Sequence, residues 1–285
     1  MELELYQIKA RKKPVYGKQI LTYLILTLIA IITLVPLAWA LSSSLKTHSE
    51  IYAFPPQWIP KVLNWSNYVR AWTMVPFGRF LLNSLYMSST VTIMQLIVSS
   101  LAAYAFARLR FPGRDTLFLL YLGAMMIPGQ VLIIPNFILM RFFGWIDSYK
   151  ALILPEVFNM FTIFCTFLLR QYFLTLPGEL EDAAKIDGCS RFQTFIRIIM
   201  PLSKPALATV AIFAFKDQWN NFLWPLIVIN TPEKMPIQVG LTFFRGEFNT
   251  EWEVLLAGTI IALIPVIILF LFGQKYFVKG FSISG

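Results

Sequence analysis

Histidine is nearly absent: His48 is the only one in 285 residues. A histidine-based metal centre or a Ser/His/Asp-type nucleophile needs more than the chain supplies. Cysteine is scarce too. Cys165 lies in an apolar stretch and Cys189 in a polar one, so neither a disulfide nor metal-ligand spacing is expected. No G-x-x-x-x-G-K-[ST] phosphate loop occurs, so the chain is not expected to hydrolyse ATP by itself. No catalytic residue and no metal site is assigned. Charge is also thin. Only 14% of residues are Asp, Glu, Lys or Arg, against about a quarter in soluble domains. No nucleic-acid motif accompanies the net charge of +9. The excess therefore speaks to membrane topology, and no nucleic acid is expected as a partner.

What the chain has is hydrocarbon. It is 57% hydrophobic, with a mean hydropathy of +0.66. A span needs about 20 apolar residues, and six stretches qualify: about 20–45, 80–107, 116–140, 151–169, 205–229 and 254–274. The expected fold is an all-α polytopic membrane protein, with residues 1–19 outside the membrane and 20–285 as one transmembrane domain. Ala38-Trp39-Ala40 looks like a signal-peptidase site. The run is too long for a signal peptide and five spans follow, so an uncleaved helix is expected.

Basic residues orient the bundle. Fifteen flank one side: Lys9, Arg11, Lys12, Lys13, Lys18, Arg108, Arg110, Arg114, Arg170, Lys185, Arg191, Arg197, Lys204, Lys275 and Lys279. Eight flank the other: Lys46, Lys61, Arg70, Arg79, Arg141, Lys150, Lys234 and Arg245. The richer side is expected in the cytoplasm. That makes a multi-pass protein of the plasma (cell inner) membrane in contact with lipid, with both termini and the 170–204 loop cytoplasmic.

That loop is the most informative stretch. Residues 177–206 read PGELEDAAKIDGCSRFQTFIRIIMPLSKPA. Pro177 suits a first helical turn, and Glu179, Glu181 and Asp182 favour the positive end of the helix dipole. Leu180, Ala183, Ala184 and Asp187 share a face. Gly188 suits a left-handed helix end, and Ser190 with Gln193 fits a capping box. Phe192, Phe195, Ile196 and Ile199 form an apolar stripe. Pro201 and Pro205 stop this second helix or bend it into the next span.

The segment resembles the "EAA" loop of binding-protein-dependent ABC importer permeases, through Asp182-Ala183-Ala184, Gly188 and Ile199-Met200-Pro201. The flanks LPGEL and PLSKPA resemble its carbohydrate-uptake branch, which contains the maltose and glycerol-3-phosphate importers. Asp182 stands where that family usually has Glu, and Cys189 where it usually has Ala. The resemblance implies a type I ABC importer permease fold with a cytoplasmic coupling helix. It implies an ATPase dimer as partner, holding ATP and Mg that this chain does not bind. It further implies a second permease subunit and an external sugar-binding protein. The coupling residues would be Glu181, Asp182, Ala183, Ala184, Asp187 and Gly188. Asp182 would bind an ATPase arginine, and the alanines would pack on the ATPase surface. Lys279 to Gly285 resembles the family's C-terminus. The implied cargo is a sugar or glycoside, with glycerol 3-phosphate or a polyol as the alternative.

Charges at membrane depth mark a wet interior or an internal pair. In the fifth span, Lys216 and Asn220 share one face, and Asp217 and Asn221 the next. Trp219 and Trp224 supply flat rings. Two readings stand: a sugar pathway, and an ion-pair and amide network holding helices together. Glu156 reads as a solvated helix start near the outer surface. With Asp217 it would be the only acid for the rival class, an ion-coupled secondary transporter, and no inverted repeat supports that. The aromatic stretch Phe54–Trp72 reads as interfacial, and resembles the P…W-I-P…N-Y segment of the same permeases. Glu233, Glu247, Glu251 and Glu253 read as an outward acidic rim or a solvated loop.

Overall fold

The computed structural model describes residues 16–246 and 250–281, with side chains placed over 19–246 and 250–274. Among these residues the regular structure is helical. Three helices are long and apolar enough to span: Gln19–Ser44 within α1 (Tyr16–Ser44), α3 (Phe77–Arg108), and Trp252–Gln274 within α12 (Trp252–Phe281). Three bent helix pairs, each counted as one span, would bring the total to at most six; in the third, Arg191–Leu202 with Lys204–Trp219, the first half is the amphipathic segment after the 170–190 loop. α1 exposes almost its whole apolar length, from Ile20 to Leu37. Such a surface is covered by lipid or by another membrane helix, not by water.

α3 is the central post. Its small and polar face (Ser84, Ser88, Gln95, Ser99, Ala103) is buried, and such residues let helices approach closely in a membrane. Its other face, including Leu82, Tyr86, Ile93 and Ile97, stays exposed. It packs along α7 (Met160–Thr175) and α10 (Lys204–Trp219), and α12 packs along α10 and α1. A short helix, α2 (Ser66–Thr73), follows the first span and packs against α12. At that end Gly240 lies so close that a Cβ would fall 2.1 Å from the Phe80 ring.

The third apolar stretch is not one rod. α4 (Arg114–Gly123) and its short extension to Met126 meet the Gly129–Phe142 half, which contains α5 (Ile133–Phe142), at 87°. Pro128 forces Ile127 into extended backbone and ends the helix. The fourth stretch divides into α6 (Tyr149–Val157) and α7 at 41°. Pro155 lacks the N–H that would reach Ala151, and the freed Ala151 carbonyl accepts the Trp224 indole N–H at 2.8 Å. The fifth stretch breaks after Trp219 and resumes as α11 (Leu223–Val228). Between the fourth and fifth lie α8 (Glu179–Ile186) and α9 (Arg191–Leu202), and α9 turns 80° at Ser203 into α10.

Candidate functional site

Two places gather the chemistry. The first is the α8–α9 hairpin. α8 ends in a Schellman turn: Gly188 N–H bonds Lys185 O at 3.0 Å, and Cys189 N–H bonds Ala184 O at 2.9 Å. Gly188 has φ +76°, a conformation glycine adopts without strain. The reciprocal Ser190–Gln193 box caps α9 at 2.8 and 3.3 Å. Pro201 removes the donor for Arg197 O, and the helix widens into a π turn over Phe195–Ile199.

This hairpin has an inner and an outer face. Ala184, Phe195 and Ile199 are buried against the bundle. Glu181 also turns inward, 3.2 Å from Arg108 at the end of α3. Burial raises the Glu181 carboxyl above its ordinary range, and the Arg108 guanidinium opposes that shift. Arg108 in turn donates to Phe173 O and Leu176 O at 2.5 and 2.6 Å. Glu181 and Ala184, both expected to face a partner, therefore anchor the hairpin from within. Asp182, Ala183, Asp187 and Gly188 are exposed. Asp182 pairs with Lys185 at 2.8 Å, which holds its carboxyl below the usual range. The expected apolar stripe is split: Phe192 and Ile196 point outward, and Ile186 is 87% exposed.

The second place is a cavity of about 1080 Å³ where the broken helices converge. Glu156 lines it and is a hub. Its carboxylate accepts from Asn159 Nδ2 at 2.7 Å, Gln218 Nε2 at 3.1 Å and Asn221 Nδ2 at 2.8 Å. Asn159 caps α7, accepting from Phe161 N–H and Thr162 N–H. Gln95, near the middle of the 32-residue α3, donates to Glu156 O at 2.8 Å and to Asn159 Oδ1 at 3.3 Å. These amides satisfy backbone freed by the break, as an irregular segment at membrane depth requires. Glu156 is thus not a solvated helix start. It sits at mid-bundle.

Of the expected pathway residues, Asp217, Asn220, Asn221 and Trp224 line this cavity. Trp219 does not. It is buried against Phe215, and its indole donates to Ala262 O at 3.1 Å. Lys216 is exposed but outside the lining. Asn136, Gln130, Trp145, Phe161 and Phe222 add to the polar and aromatic surface.

At the opposite end, two members of the expected acidic rim are paired within the chain, while Glu233 is exposed. Glu251 pairs with Arg70 at 2.7 Å, and the buried Glu253 meets His48 at 3.2 Å and Arg70 at 3.7 Å. Glu247, residues 1–15 and Ser282–Gly285 lie outside the described residues. The Phe54–Trp72 stretch keeps Phe54, Trp58, Trp65 and Trp72 exposed and ends in α2.

A multi-pass membrane bundle with broken spans around a polar cavity, and a rigid amphipathic hairpin at one end, is the anatomy of a transport protein. The chain belongs to the family described as "Binding-protein-dependent transport system inner membrane component", whose profile matches residues 95–283. It is 36% identical to the arabinooligosaccharides transport system permease protein AraQ of Bacillus subtilis (strain 168), over 90% of this chain and 92% of that one. It is 34% identical to the sulfoquinovosyl glycerol transport system permease protein SmoH of Agrobacterium fabrum (88% of each). Its identity to the sn-glycerol-3-phosphate permease UgpE of Escherichia coli is 35%, over 87% of this chain and 90% of that one. A solved bacterial ABC transporter involved in import of the acidic polysaccharide alginate superposes with TM-score 0.80 at 25% identity, covering 94% of this chain and 98% of that one. The chain is an ABC importer permease, an inner-membrane transport component.

Proposed function

We propose that this permease forms half of a pore for a sugar or glycoside, opposite a second permease, and is driven by an ATPase dimer that holds the ATP and Mg. An external binding protein delivers the cargo. Glycerol 3-phosphate or a polyol is the alternative cargo. Both termini and the hairpin face the cytoplasm, as the basic residues argue.

One observation carries the coupling role. The hairpin is pinned from inside by Glu181, Ala184, Phe195 and Ile199, yet presents Asp182, Ala183, Ile186 and Phe192 outward. A surface with that division seats in a groove of another protein and moves as a rigid body. Burying Ile186 alone would contribute about 2 kcal/mol to the association. Asp182 offers a carboxylate to a partner arginine, once Lys185 releases it.

The test is Ile186→Asp alongside Gly188→Asp. The Ile186 side chain touches little within the chain, so its replacement leaves the fold intact. Both variants are expected to insert in the membrane, lose co-purification with the ATPase subunit, and lose uptake. An Ile186→Asp protein that still binds the ATPase and drives import would overturn the docking reading.

A further inference from the structure

The relatives that resemble this chain carry names spanning neutral and anionic cargoes: arabinooligosaccharides, sulfoquinovosyl glycerol and glycerol 3-phosphate. Likeness does not choose among them. The electrostatics of the cavity do.

Among the described residues, Glu156 and Asp217 are the only charged side chains in the cavity lining, and no lysine, arginine or histidine lines it. Three neutral amides donate to the Glu156 carboxyl group, and among the described residues no cation forms an ion pair with it. The nearest cation in sequence is Lys216, which lies outside the lining; its charge acts on the adjacent Asp217 and offsets it in part. A site for phosphate, sulfonate or uronate needs guanidinium or ammonium groups or convergent backbone N–H groups. This one supplies carboxylates, amides (Asn136, Asn159, Asn220, Asn221) and aromatic faces. Amides pair with hydroxyls, and rings cover the C–H faces of a pyranose or furanose.

We propose that this half of the pathway is a charge filter: it passes uncharged glycans and rejects anionic ones, with Asp217 and Glu156 as the specificity-determining residues. The inference rests on the importer reading above and narrows its cargo to neutral saccharides. A single anion about 7 Å from one carboxylate, at an effective dielectric constant near 20, is disfavoured on the order of fiftyfold. Counterions and rearrangement lower that figure, so discrimination of tenfold or more is expected.

The experiment has two arms. In the complete transporter, ATP-dependent uptake is measured for arabinotriose and maltotriose against trigalacturonate, sulfoquinovosyl glycerol and glycerol 3-phosphate. A neutral probe is expected to enter at least tenfold faster than any anionic one. Faster uptake of an anionic probe overturns the filter while leaving the importer reading intact. ATP-dependent uptake of none of the probes counts against both.

The second arm removes the binding protein, which could impose the same preference. The permease–ATPase complex in nanodiscs is titrated with the same probes and read by tryptophan quenching. Asp217→Asn, and separately Asn220→Lys, are expected to raise anionic relative to neutral affinity by tenfold or more. If both variants leave that ratio where the unmodified complex has it, or if no probe of either kind quenches, the filter is not in this cavity.

Discussion

Removing the Glu156 carboxylate strips three amide donors of their acceptor. The distances are 2.7 Å to Asn159, 2.8 Å to Asn221 and 3.1 Å to Gln218, all within hydrogen-bonding range. Each hydrogen bond to a charged acceptor contributes about 1.5–3 kcal/mol net. A simple sum for Glu156→Ala would exceed about 5 kcal/mol, but water from the cavity can reach Asn159 and Asn221, which line it. Gln218, which is buried, bears most of the loss. About 3 kcal/mol is therefore the expected destabilisation, with an apparent Tm lower by about 5 °C or more. Glu156→Gln keeps one carbonyl oxygen and sets its new NH2 against other donors, so about half that loss is expected. The assay is thermal unfolding of the full complex in nanodiscs. Equal losses in the Ala and Gln variants, or a loss under about 1 kcal/mol for Ala, would refute the hub.

Two further substitutions probe the supports of the site. Trp224→Phe leaves the Ala151 carbonyl, already deprived of a donor by Pro155, without a partner, at an expected cost of about 1–3 kcal/mol. Adding Pro155→Ala restores a backbone donor, so the double variant should lose less than the two single losses combined, in a double-mutant cycle read by thermal unfolding. Asp147 clamps the loop after α11 through the Thr231 hydroxyl at 2.5 Å, the Asn230 and Thr231 N–H groups, and Lys234 at 3.1 Å. The Thr231 hydroxyl above all holds its carboxyl well below the usual range. A depressed carboxylate stabilises above its ordinary pKa of about 3.9 and loses that contribution as pH falls through the lowered value. Asp147→Asn should therefore cost about 2 kcal/mol at pH 7, and the gap from the unmodified protein should narrow only below about pH 4. A gap already closed at pH 6 would contradict the clamp.

The hairpin was legible because its instructions are local. Gly188, Ser190 and Gln193 act within four residues of their partners, and the observed turn and cap match that reading. The inward turn of Glu181 and Ala184 was not legible, because Arg108 lies some 70 residues upstream. Spacing placed Leu180, Ala183, Ala184 and Asp187 on one face, but the two adjacent alanines part: Ala183 is exposed and Ala184 is buried. Glu156 was misread for the same reason. Its amide partners Gln218 and Asn221 are 62 and 65 residues away, and neutral amides leave no charge pattern. One local signal existed: Pro155 frees the Ala151 carbonyl, and a freed carbonyl at membrane depth demands a donor. That demand calls for a donor without naming it, and the one that answers, the Trp224 indole, lies 73 residues away. Nor does that demand place Trp219, whose indole goes to Ala262 on α12.

The two sites are joined by construction. α7 starts at the Asn159 cap beside Glu156 and runs 16 residues to the hairpin. α10 leaves the hairpin at Ser203 and runs 16 residues to Asn220, again at the cavity. At 1.5 Å per residue each is a lever of about 24 Å. They pack against each other and against α3, and Arg108 fastens α3 to both the end of α7 and the hairpin. On the proposed function, a displacement of the hairpin would travel to Asn159 along one lever and to Gln218 along the other. Glu156 accepts hydrogen bonds from both ends, so the two levers would converge on its carboxyl group. On the proposed function, Glu156→Gln should then weaken coupling as well as charge. Basal ATP hydrolysis would persist in the complex, while its stimulation by cargo-loaded binding protein would fall. Unchanged stimulation in that variant would show that the hairpin's motion reaches the pore by another route.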